Sequence, residues 1–165
     1  MELDNHATKQ AYIRLLIDTS RKKLQILQQL TDITEKQETI LNLESFDEDC
    51  FLQTIAQKNE HLDQLAELDQ GFEQIFGSVK DELVENKYRY ETEIKVLQEY
   101  IISITDFSMK LQALEQRNKA KLETILTSKR RDIRKSKISS QTAVNYYKTM
   151  THQHETQSFF YDKKK

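Results

Sequence analysis

The stretch from Tyr90 to Asn118, YETEIKVLQEYIISITDFSMKLQALEQRN, decides the fold. Tyr90, Leu97, Ile104, Leu111 and Asn118 recur every seventh residue, with Tyr100, Phe107 and Leu114 between them at steps of three and four. That spacing puts one stripe along a helix, whereas a strand would need alternation at every second residue. The series continues backwards through Leu83, Phe76, Asp69, Leu62 and Ile55 and forwards to Ile125, and nine of these eleven residues are apolar or aromatic. Leu65, Phe72, Val79 and Asn86 extend the complementary positions. The whole reads as a coiled-coil-like packing seam. Asp69 and Asn118 interrupt it, either to penalise alternative registers or to offer polar contacts to an inserted partner helix. Leu27, Leu62, Leu97, Ile104 and Leu111 are the expected core of the seam.

As one helix this seam would reach about 110 Å, too long for a compact domain. A reversal is therefore expected between Gly71 and Lys87. Gly77 and Ser78, with Asp81 and Glu82 in the next turn, make one candidate, and Asn86 is the other. A break near the later end gives three helices of similar length; the alternative is an unbroken second helix that overhangs the first. Upstream, Ile13, Leu16, Ile17, Leu24, Leu27, Leu30, Ile33, Ile40 and Leu41 predict a first helix from about Lys9 to Glu44. The next reversal falls at Ser45–Phe46. Ser45 followed by Glu48 has the spacing of a capping box, and Asp47, Glu48 and Asp49 place negative charge where a helix dipole favours it.

Composition agrees with few, long elements. The 165 residues include no Pro and only 2 Gly, so turn residues are nearly absent. Charged residues make up 32% and hydrophobic ones 37%, which suits slender helices that bury one stripe and solvate the rest. The expected fold is all-α: an antiparallel bundle of three long amphipathic helices over residues 1–126, followed by a flexible, basic, aromatic-containing C-terminal tail over residues 127–165.

The net charge of −2 conceals that division. Residues 1–126 carry 15 Lys and Arg against 24 Asp and Glu, whereas residues 127–165 carry 10 against 3. The tail opens on the basic run from Lys129 to Lys137. It then holds Tyr146 and Tyr147, a polar stretch, and Phe159-Phe160-Tyr161. Isolated aromatic pairs in polar surroundings build no core of their own. They point to a partner, with Tyr146, Tyr147, Phe159 and Phe160 as apolar anchors and Arg130, Arg131, Arg134 and Lys135 as steering charges.

Chemistry finds little support. The carboxylates read as solvated face charges, with no pocket-forming element beside them. His152 and His154 have no third ligand nearby, and His61 sits at the edge of the seam. Cys50 is alone and follows Asp47, Glu48 and Asp49, the opposite of the basic surroundings that activate a thiol. No Gly-rich phosphate loop is present. The basic run invites nucleic acid, but the acidic body would repel the same backbone, so nucleic acid is not the expected partner. No enzyme activity, metal or cofactor is expected. The polar start is unlike a signal peptide and no apolar run approaches about 20 residues, so the expectation is a cytoplasmic protein without membrane insertion.

Three phrases carry a family resemblance: Leu43-Glu44-Ser45-Phe46-Asp47, Leu68-Asp69-Gln70-Gly71-Phe72-Glu73, and Gln112-Ala113-Leu114-Glu115-Gln116-Arg117-Asn118-Lys119. With the Tyr146-Tyr147 to Asp162-Lys163 ending, they resemble FlgN-type flagellar export chaperones over nearly the whole chain. The ending departs from many members, which carry Gly and Pro between the tyrosine and the terminus. The resemblance implies a cytosolic chaperone that masks the assembly-prone helices of hook–filament junction proteins and delivers them to the flagellar export gate. A related chaperone for flagellin or the filament cap would look much the same. From the residues alone, a structural or adaptor coiled coil whose seam pairs with its own copy as a homodimer is the rival.

Overall fold

A computed structural model describes residues 2–128 together with residues 145, 146, 148 and 149. Three long helices form among the described residues: α1 (Glu2–Leu41), α2 (Glu48–Glu85) and α3 (Glu91–Ser128). Their lengths are 40, 38 and 38 residues, each spanning roughly 60 Å. The ties between helices descend along α2, from Lys9 with Ser78 through Lys23 with Asp69 to Gln37 with Thr54, so α1 and α2 are antiparallel. Ile13 and Leu16 share a cluster with Leu97, whereas Thr34 meets Asn118 and Glu38 meets Arg117, so numbers rise together along the two helices and α3 is parallel to α1.

α1 is the central element. It packs along both α2 and α3, while α2 and α3 bring their backbones close to each other at isolated positions at most. α1 therefore needs two apolar stripes, which is why its stripe is broader than a two-stranded seam.

The first turn corrects the expected cap. α2 starts on Asp47, whose Oδ1 accepts the Cys50 N–H at 3.1 Å, and Ser45 lies outside the helix in the turn. The reason is the neighbouring phenylalanines. The Phe46 and Phe51 rings meet at 5.7 Å between centroids, and Phe51 is fully buried. They occupy the positions just before the cap and at the fourth helical residue, which is a hydrophobic staple and fixes where the helix begins. α1 also starts earlier than expected, at Glu2, and ends earlier, at Leu41.

The second reversal lies at the later end of its expected window. Asn86 ends α2, its N–H donating to the Glu82 carbonyl at 2.9 Å, and the turn runs to Tyr90. Tyr90 is buried, with its hydroxyl donating to Glu82 across the turn. Gly77 and Ser78 remain inside α2, and Ser78 Oγ donates to the Gln74 carbonyl.

Among the described residues the core forms two clusters. One is built from Ile13, Leu16, Val79, Tyr90 and Leu97. The other includes Leu27, Leu30, Phe51, Leu62, Ile104, Leu111 and Leu122. The five expected core residues are all buried, but Leu97 belongs to the first cluster and the other four to the second. The buried pair Lys23–Asp69 lies between the clusters along the sequence of both helices. No described helix is long and apolar enough to cross a membrane.

Candidate functional site

Lys58 is the least expected residue of the interior. It follows Ile55 by three and precedes Leu62 by four, so it falls on the buried stripe of α2, and its exposure is 0%. An ammonium has three donors to place. Two go to the Glu115 carboxylate of α3 and to Gln37 Oε1 of α1 at 3.0 Å. The ammonium also lies 4.9 Å from the centroid of the Tyr146 ring, within cation–π range.

Glu115 is the acceptor of the node. Besides Lys58, its Oε1 is 3.2 Å from Thr34 Oγ1 and receives the Tyr146 hydroxyl at 3.0 Å. Gln37 Nε2 donates to Thr54 Oγ1 at 3.0 Å, and Asn118 Nδ2 donates to the Thr34 carbonyl at 3.1 Å. Thus one connected network joins α1, α2, α3 and the C-terminal segment. Burial pushes the Lys58 ammonium well below the usual lysine range, because charge is disfavoured away from water.

Tyr146 is where the structure departs from the expected tail. Anticipated as an exposed anchor, it is 4% exposed and joins the larger core cluster. Asn145 and Tyr146 are helical, as are Lys148 and Thr149. The ring covers the Lys58 ammonium and the hydroxyl reaches Glu115, so Tyr146 touches both helices that α1 leaves apart. In this conformation its ring packs against the chain's own helices. Tyr147, Phe159, Phe160, Arg130, Arg131, Arg134 and Lys135 lie outside the described residues, as do His152 and His154.

Sequence reasoning missed Lys58 and Glu115 by treating helix charges as solvated. A signal was present: stepping back seven from Leu65 in the complementary series lands on Lys58 and, seven earlier, on Phe51. Asp69 and Asn118, by contrast, are buried as their seam positions imply. Asp69 Oδ1 accepts from Lys23 at 2.5 Å while its Oδ2 is buried without a hydrogen bond. Burial raises the Asp69 carboxyl above its usual range, with the Lys23 charge opposing.

Among the described residues no three His, Cys, Asp or Glu side chains converge on a common metal position. Cys50 is exposed, and its hydrogen bond to Asp47 raises the thiol pKa. An open cleft of about 410 Å³ is lined by Glu38, Leu41, Asn42, Arg117, Asn118 and Lys121, and Arg117 is already held by Glu38 at 2.9 Å. On the outside of α3, Ile102 and Met109 are exposed seven residues apart, on one face of the helix. No family model, curated protein or solved structure matches the chain.

Proposed function

We propose that this protein is a non-enzymatic chaperone of the flagellar export type. It would bind hook–filament junction proteins in the cytoplasm, mask their assembly-prone helices and hand them to the export gate. The observation that supports this reading best is the open side of the bundle. α2 and α3 both pack on α1 and leave between them a face that takes a helical segment, currently that of Tyr146. Helix-in-groove capture needs such a face, with apolar anchors at helical spacing. The family resemblance of the three quoted phrases supplies the client class.

The test is co-expression with the hook–filament junction proteins of the organism that encodes the chain, followed by light scattering on the purified species. A stoichiometric complex, with a compact monomer in its absence, is the expected result. A rod-like homodimer that ignores those proteins would replace the chaperone reading with that of a coiled-coil spacer. Capture of flagellin or cap protein alone would move the assignment to a neighbouring client class.

A further inference from the structure

The first turns of α1 reach the turn between α2 and α3 without a core of their own. No residue from Asn5 to Tyr12 is buried, and Ile13 is the first to enter a cluster. This end is held by polar side chains, among them His6 and Lys9, whose ammonium donates to the Ser78 carbonyl at 2.6 Å. His6 faces two groups of opposite demand. Arg89 of the turn brings Nη1 to 2.8 Å from Nδ1 and 3.2 Å from Nε2, while Glu82 Oε1 of α2 lies 3.5 Å from Nδ1. The Tyr90 hydroxyl completes the site, donating to the same Glu82 oxygen at 3.2 Å.

We propose that His6 is a pH-sensitive clasp that exchanges partners, holding Arg89 of the α2–α3 turn while neutral and Glu82 of α2 once protonated. A guanidinium only donates and stays charged, so its contact to a ring nitrogen needs an acceptor there. The neutral imidazole has one such nitrogen, whichever tautomer it adopts. The imidazolium has none, and its charge has the sign of Arg89. Protonation therefore ends the Arg89 contact. The same proton gives the ring a second N–H, and the Glu82 carboxylate already stands within ion-pair distance. The end of α1 then stays on α2 while the turn loses its tie to α1. Imidazoles change charge between about pH 5 and 8, and a side-chain exposure of 42% lets protons reach His6 without any opening of the bundle. The clasp is independent of the chaperone reading.

The test is amide hydrogen exchange on the full-length protein at about pH 5 and about pH 8, with rates divided by those of the unstructured chain so that the intrinsic pH dependence cancels. The reporters are the Asn86 and Arg89 amides, which donate to the Glu82 and Asn86 carbonyls, and circular dichroism checks helicity at both pH values. In the parent, protection of the turn should fall roughly threefold at the acidic pH, the scale of an exposed charged contact. His6→Gln keeps an acceptor for Arg89 at either pH and should show no fall. Arg89→Gln removes the tie and should leave the turn equally weakly protected at both. Glu82→Gln should cost protection over residues 6–10 mainly at the acidic pH, where the carboxylate is the partner. A fall of the same size in His6→Gln would place the titration on another group and overturn the clasp. A parent whose turn is equally protected at both pH values would overturn it as well.

Discussion

Lys58 carries a charge to a place that hydrocarbon would fill at lower cost, and the structure compensates with partners from three other segments, Gln37 of α1, Glu115 of α3 and Tyr146. Taking away one member of such a pair leaves the other charge buried alone, at about 3–5 kcal/mol. Lys58→Met and Glu115→Gln should each destabilise the protein by that order in urea unfolding. The double variant should lose clearly less than the sum, because the second change removes a group the first had orphaned. Additive losses would mean that the two residues act independently. Asp69 gives a pH signature of its own. Its carboxyl pKa is raised in the folded state, so the folded protein holds that proton more tightly than the unfolded chain. The resulting contribution is fully present below the unfolded value of 3.8 and is lost as pH rises through the raised folded value. The stability of the parent relative to Asp69→Asn should therefore fall with increasing pH across that window in denaturant titrations. A flat difference would place the carboxyl back in its ordinary range.

Helix boundaries follow from chemistry within one turn. Asp47 caps α2, and its removal as Asp47→Ala should cost about 0.5–2 kcal/mol. Ser45→Ala, outside the helix, should leave the melting temperature nearly unchanged. Equal losses for the two would restore the capping box to Ser45. The glycines make a second case. Gly77 sits inside α2, and a Cβ built on it meets nothing within 4 Å. Gly77→Ala should then stabilise the protein by roughly 0.5–1 kcal/mol, through lower backbone entropy in the unfolded chain and better helix propensity. Destabilisation would mean that the helix bends or opens at that point. The Gly77-Ser78 pair looked like a break because it resembles a helix end and a new start. Leu83, four residues beyond Val79, continues the packed stripe across it and keeps the helix whole.

At the scale of the molecule, Tyr146 makes the division between body and tail less clean than the charge distribution suggested. Deleting residues 140–165 should leave helicity per remaining residue nearly unchanged, because α1, α2 and α3 retain their mutual packing. It should still lower the unfolding midpoint, because Glu115 loses the Tyr146 hydroxyl and Lys58 its covering ring. An unchanged midpoint would show that the segment spends little time in the groove. Complete unfolding would make it an obligatory fourth layer of the core.

The sequence by itself determined the all-α class and most of the buried apolar positions, while it left open whether the long seam breaks into two helices. These depend on a seven-residue period and on the scarcity of Gly and Pro, both of which act within a few residues of chain. It also marked Asp69 and Asn118 as buried polar residues, since each breaks an otherwise apolar series. Only the tertiary structure decided that Lys58 and Glu115 face each other 57 residues apart, and that Tyr146 reaches Glu115 from 31 residues further on. A heptad position says which way a side chain points. Whether a charge there is solvated or paired depends on what the other helices bring to the same level, and that is set by packing in three dimensions.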